Sequence, residues 1–336
     1  MTKVGDTKAA PAPPAESPTR SVFRQRLQQL LTFGSLVALM VFFSLANPNF
    51  LTWSNISGIL LSTAVIGILA LGTTYVIITG GIDLSIGTGM TLASVVTAVL
   101  LVNWGWPLGL GVAGGIGFGA LMGFVNGFNV AVLRIPPFIA TLAMMLIAQG
   151  LALVISGAAP IYFTSIPAFG QISRGSLVPG LRLPNAVLIL FLLTAVAAVI
   201  LAKSVLGRYT FAIGSNEEAT SLSGINVRRW KIAIYTLAGA FTGVAGVVLA
   251  ARLNSAQPAL GLGYELQAIA AVVIGGTSLQ GGRGSMTGSI VGALIMGVLV
   301  NGLRIMSIPQ EWQTVVVGVV ILVAVYTDIL RRGKEG

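Results

Sequence analysis

Apolar runs of membrane-spanning length, separated by short polar breaks, fill almost the whole chain. A span needs roughly 20 apolar residues. Ten segments qualify: 28–47, 58–79, 86–102, 107–132, 137–156, 185–203, 231–251, 264–280, 286–303 and 312–330. The pattern predicts an all-α polytopic membrane protein of about ten transmembrane helices. Pro48-Asn49 and Trp53-Ser54-Asn55 read as an interfacial elbow before the second span. Trp104, Trp106, Tyr162 and Trp312 are candidate interface anchors, since amphipathic rings favour the headgroup level.

One break is unlike the rest. Residues 204–231 hold Arg208, Glu217, Glu218, Arg228, Arg229 and Lys231 in a single polar island. Ser215 and Glu218 have the spacing of a capping box. Glu217 and Glu218 then fall in a first helical turn, where the helix dipole favours negative charge. Gly224 suits a left-handed helix stop. The island therefore predicts a short capped helix of about eight residues, needing a membrane surface or a partner to be stable. An ordinary solvated loop is the simpler alternative.

Composition fixes the class. The 336 residues are 55% hydrophobic and 8% charged, against about 25% charged in soluble domains, and the mean hydropathy is +0.93. Cys and His are both absent, which removes disulfides, thiol catalysis and the usual zinc sites; no metal site is expected. The net charge of +10 flanks apolar runs and forms no basic face, so no nucleic acid is expected. With the N-terminus inside, fifteen of the nineteen Lys and Arg fall on the inner side; Arg174, Arg182, Arg252 and Arg304 fall outside. This satisfies the positive-inside rule and places the island, and both termini, in the cytoplasm. Residues 1–27 read as a disordered cytoplasmic tail, 28–330 as the transmembrane domain and 331–336 as a second tail. Ser44-Leu45-Ala46 resembles a signal-peptide cleavage site, but an uncleaved first span is the preferred reading. The outer loop 157–184, with four prolines, is too long for a simple turn; it reads as a docking surface or gate, or as a mere connection.

Glycines recur at helical spacing: Gly115, Gly119, Gly123 and Gly127; Gly239 and Gly243; Gly284, Gly288 and Gly292. In lipid such stripes let helix backbones approach. Two inner-side turns resemble each other, G-G-I-D-L-S-I-G at 80–87 and G-G-T-S-L-Q-G-G at 275–282. Their marked residues are Gly80, Gly81, Asp83, Ser85, Gly275, Gly276, Gly281 and Gly282. Asp83 is either a helix cap or, as an ionisable group near the apolar zone, a functional group. Neither turn carries the phosphate-binding pattern G-x-x-x-x-G-K-[ST]. No catalytic constellation appears, and the chain is not expected to be an enzyme.

The stretches 80–87, G-S-N-E-E-A-x-x-x-S-G-I at 214–225 and A-V-V-I-G-G-T-S-L-x-G-G-x-G at 271–284 are together far more specific than any one alone. They resemble the permease subunits of bacterial ABC importers for ribose, xylose, arabinose and related monosaccharides, over about residues 25 to 330. The resemblance implies the vitamin B12-permease-like (type II) fold in the bacterial inner membrane. Two subunits, a second copy or a close relative, would form one path for a monosaccharide. An external sugar-binding protein would deliver it, and a separate cytoplasmic ATPase would bind ATP and Mg and drive transport. The subunit itself would hold no cofactor. Its coupling helix would fall on Gly214, Ser215, Asn216, Glu217, Glu218, Ala219, Ser223, Gly224 and Ile225; Thr220 stands where many relatives carry Ala. For a neutral sugar, a weakly polar path is expected, with Ser94, Thr97, Asn126, Asn129 and Thr242 as candidates; helix packing is their alternative role. A secondary transporter using Asp83 and Glu265 for protons and a passive channel are the competing readings.

Overall fold

The structure, a computed structural model, describes residues 18–177 and 183–332. Residues 1–17 of the expected tail, Pro179 and Arg182 of the outer loop, and residues 333–336 lie outside the described residues.

Helix α1 runs Pro18–Ala46, so it begins inside the stretch expected to be a disordered tail. Among the described residues, eight helical segments are long and apolar enough to cross a membrane. They are α2 (Trp53–Ile78), α3 (Ile86–Ala98) with its π-helical extension Val99–Asn103, α4 (Leu108–Ala131), α5 (Pro137–Ser156), α7 (Asn185–Lys203), α10 (Val227–Leu253), α12 (Met286–Ile305) and α13 (Gln310–Arg332). The apolar part of α1, Thr32–Ala46, and α11 (Tyr264–Ile274) are shorter.

The core is built on α2 and α10. Ile68, Leu69, Leu71 and Tyr75 of α2 are sealed against Ile234, Tyr235 and Ala238 of α10 and Leu190 and Ala197 of α7. Tyr75 lies parallel to Phe241, with centroids 6.5 Å apart, and its hydroxyl donates to the Ala197 carbonyl at 2.6 Å. Helix α4 crosses α10 along facing glycines. A Cβ at Gly119 would meet the Gly239 carbonyl oxygen at 2.5 Å and the Gly243 backbone at 2.7 Å, so no larger residue fits that crossing. The glycine stripes are thus contacts between backbones, held by van der Waals packing. By contrast α4, α5, α7 and α13 carry many exposed apolar side chains, among them Leu146, Phe191 and Leu322.

The expected span 264–280 crosses the bundle, but only part of it is helical. Helix α11 has eleven residues, about 16 Å at 1.5 Å per residue, roughly half of a hydrocarbon core. The preceding segment enters the bundle as irregular backbone: Thr91 of α3 donates to the Leu260 carbonyl at 2.7 Å, and Gly87 lies against Gly261 and Glu265. Glu265 accepts from the Gly263 N–H at 2.9 Å, closing the start of α11. Irregular backbone at such depth persists where protein satisfies its polar groups, and these bonds do so.

The described residues of the long loop after α5 are structured. Strand β1 (Ile161–Tyr162) pairs antiparallel with β2 (Ser255–Ala256) beyond α10. Short helix α6 (Pro167–Arg174) follows, and Phe163 stacks on Phe169 at 3.9 Å. The loop is therefore a packed cap on this end of the bundle, more than a connection. Trp104, Trp106, Tyr162 and Trp312 are exposed at this same end.

Candidate functional site

At the opposite end the polar island folds into two helices. Ser204 caps the first, α8 (Val205–Ser215), by accepting from the Gly207 N–H at 3.2 Å. The second, α9, spans Glu217–Leu222, six residues where about eight were expected. Its cap corrects the predicted capping box. Ser215 is the last residue of α8, and Asn216 between the two helices accepts from the Ala219 N–H at 2.8 Å through Oδ1. One residue in extended conformation is enough to end one helix and start the next, and an Asn side chain satisfies the orphan donor as well as Ser does. Glu217 and Glu218 do occupy the first turn. Gly224 has φ of +81°, the left-handed stop expected of it. Asn226 then caps α10, accepting from the Arg229 N–H at 3.1 Å.

The island is pinned to the bundle on one side and bare on the other. Lys231 of α10 pairs with Glu217 at 2.6 Å. Tyr209 of α8 meets Trp230 edge-on at 4.9 Å. Thr220 is buried, but Glu218, Ala219, Ser221 and Ser223 are exposed, and Leu222 is 83% exposed. Leu222 thus stands as a bare apolar knob at the end of an acidic helix.

Three motifs far apart in sequence meet beneath this knob. The Gly282 N–H donates to the Ile78 carbonyl at 2.8 Å. A Cβ on Gly281 would meet Gly214 O at 2.8 Å and Gly80 N at 2.9 Å. Gly281 and Gly282 have φ of +89° and +73°, which L side chains rarely adopt. Gly80 also lies against the Gln280 carbonyl. The two similar turns are thus in contact with each other and with the C-terminus of α8. Gly275 and Gly276 sit at the end of α11, where Gly275 packs on the Gly288 backbone of α12.

Asp83 and Ser85 lie deeper. Asp83 Oδ1 accepts from the Ser85 N–H at 2.8 Å and from Ser85 Oγ at 2.6 Å. This is a local turn before α3. Ser85 is the cap residue of α3 but makes no side-chain cap bond, because its hydroxyl is given to Asp83. Thr141 of α5 grips the same segment, donating to Ile82 O and accepting from the Leu84 N–H at 3.1 Å. Asn126 of α4 donates to Ser85 Oγ at 2.8 Å. Sequence reasoning missed the Asp83–Asn126 and Thr141 contacts, since no spacing joins a turn to residues on helices far along the chain. Of the path candidates, Ser94, Thr97 and Thr242 are buried within the chain and bond carbonyls of their own helices. Asn126 is buried in the Asp83 cluster, and Asn129 is half-buried.

Comparison with known proteins gives the family. The chain is 43% identical to the ribose import permease protein RbsC of Escherichia coli K12 over 305 residues, covering 89% of this chain and 94% of that one. It is equally identical to the Bacillus subtilis RbsC over 303 residues, 90% and 93% of the two chains. It is 34% identical to the xylose transport system permease protein XylH of E. coli K12, with both chains fully covered. No solved structure matched the chain. Residues 55–325, from the start of α2 nearly to the end of α13, match the family described as the branched-chain amino acid transport system / permease component, and the chain belongs to that permease family.

Proposed function

We propose that this chain is the membrane-spanning subunit of an ATP-driven importer that carries a monosaccharide, a pentose such as ribose, across the bacterial inner membrane. The observation that carries the reading is the knob: α9 stands bare at one end, and directly beneath it the two broken-helix turns and Gly214 are in backbone contact. The identity to ribose and xylose permeases supports the substrate class. In this reading the island end faces the cytosol with both termini. A separate ATPase, with its own ATP and Mg, seats on Glu218, Ala219 and Leu222. An external binding protein supplies the sugar on the capped end, and a second copy or a close relative completes the path.

Force applied at α9 has a short route inward. Asn216 joins α9 to α8 without a spacer, and Gly214 of α8 abuts Ile78 at the end of α2. Gly282 bonds that same carbonyl, so α2 and the α11–α12 turn move with α8. Both elements end in irregular backbone, where rigid helices can change angle; switching between two packed arrangements is how such motion is transmitted.

Uptake of radiolabelled ribose into proteoliposomes tests the reading. With ATPase, binding protein and enclosed ATP present, uptake is expected; removing ATP stops it. Uptake that persists without ATP, driven by an imposed proton or sodium gradient, would contradict the reading in favour of a secondary transporter.

A further inference from the structure

Helix α7 carries one bare apolar line that ends on a charge. Leu192, Val196, Val199 and Lys203 stand at i, i+4, i+7 and i+11, so they share one face of the helix. All four are exposed, Leu192 at 65% and Val199 at 60%. Leu190, Ala197 and Leu201 bury the opposite face in the core. From Leu192 to Lys203 the rise is about 16 Å at 1.5 Å per residue. That is about the depth of one leaflet, half of a hydrocarbon core. A lipid chain laid along this line brings its headgroup to Lys203.

A second cation stands at the same corner. The chain turns at Ser204, and α8 begins against the end of α7: a Cβ on Gly207 would run into the Leu201 carbonyl oxygen. Arg208 follows Gly207 and is exposed, as is Val205. Gly207, Thr210 and Ile213 bury the other side of α8. Half-buried Tyr209, edge-on to Trp230, marks α8 as lying at headgroup level, where such rings concentrate. Neither cation is spent inside the chain. Among the described residues Lys203 and Arg208 make no ion pair, whereas Lys231 is taken by Glu217. Glu217 and Glu218 lie beyond the far end of α8. An unpaired Lys and Arg beside a leaflet-deep apolar line suit a phosphodiester. Arg grips phosphate oxygens with its fork of donors, and the Lys stem lies along lipid while its charge stays in water.

We propose that the corner of α7 and α8 binds one anionic phospholipid, its phosphate held by Lys203 and Arg208 and an acyl chain lying along Leu192, Val196 and Val199. The lipid steadies the first turn of α8, the helix that carries α9. The proposal does not rest on the transport reading, because binding is read on the permease alone.

The test is native mass spectrometry of the purified, delipidated full chain, titrated in detergent with phosphatidylglycerol or with phosphatidylcholine of the same acyl chains. The wild type is expected to bind one phosphatidylglycerol about 25-fold more tightly than phosphatidylcholine, roughly fivefold for each basic residue beside an anionic headgroup. Lys203→Gln and Arg208→Gln are each expected to weaken phosphatidylglycerol binding about fivefold and to leave phosphatidylcholine unchanged. Both side chains are exposed, so neither change disturbs packing. Arg134→Asn removes the exposed cation that follows α4 and suits the positive φ of that position; it is expected to change nothing. Equal affinity of the wild type for the two lipids would overturn the proposal. So would a loss in Arg134→Asn as large as in Arg208→Gln, the mark of diffuse surface charge. A dimer that takes up no lipid, with a second copy covering α7, would overturn it as well.

Discussion

A single methyl group at Gly214 would run into the carbonyl oxygen of Ile78 and stand 2.6 Å from the backbone nitrogen of Gly282. Both neighbours are backbone, so neither can rotate away. Gly214→Val is therefore expected to cost about 1–3 kcal/mol, the range of an overpacked contact, and to lower Tm in detergent by about 2–6 °C. An unchanged Tm would mean that α8 does not bear on α2. The need for glycine here was not readable in the sequence. Gly214 stood out only as part of a motif, whereas the reason for it lies on residues 78 and 282. The same is true of Asn126, whose partners Ser85 and Asp83 lie in the turn before another helix. Gly224 is the opposite case: its left-handed φ follows from its position after an acidic first turn, and the sequence shows it.

At the scale of elements, the apolar runs announced nearly every long helix because burial in lipid depends on composition and length alone. What they concealed was how much of one crossing is helical. The run 264–280 reads as one apolar span, yet its helix stops at Ile274, and the segment before it, with Pro258, Gly261 and Gly263, carries the turn residues of irregular backbone. The island hid α8 for a converse reason: its charges drew attention from Val205 to Ser215, a helix of eleven residues. The cap of α9 gives the sharpest prediction at this scale. A helix of six residues cannot hold itself, so the Asn216 bond to Ala219 is a large part of its stability. Asn216→Ala is expected to cost about 1 kcal/mol locally and to weaken ATPase binding about fivefold in a pull-down titration. Global Tm should barely change, since α9 lies outside the core; undiminished binding would show that α9 is not the docking element.

At the scale of the molecule, the buried half of the bundle is α2, α3, α10 and α12, and the rim is α4, α5, α7 and α13. Helix α13 is almost bare, with Val315, Val319, Leu322, Tyr326 and Ile329 all exposed. Lipid covers part of such a rim, and the proposed second copy covers the rest. A two-fold pair buries the same patch twice. Native mass spectrometry of the complex with its ATPase is expected to find two copies of this chain; one copy, unaccompanied by a related permease, would contradict the pairing.

The direct test uses the absence of natural cysteine. A single Leu222→Cys places a thiol on the bare end of α9, and a membrane-impermeant maleimide reports which side it faces. The account predicts rapid labelling in inside-out vesicles, protection when the ATPase is bound, and no labelling in intact cells. Labelling from outside the cell, or labelling in vesicles that the ATPase leaves unchanged, would contradict it.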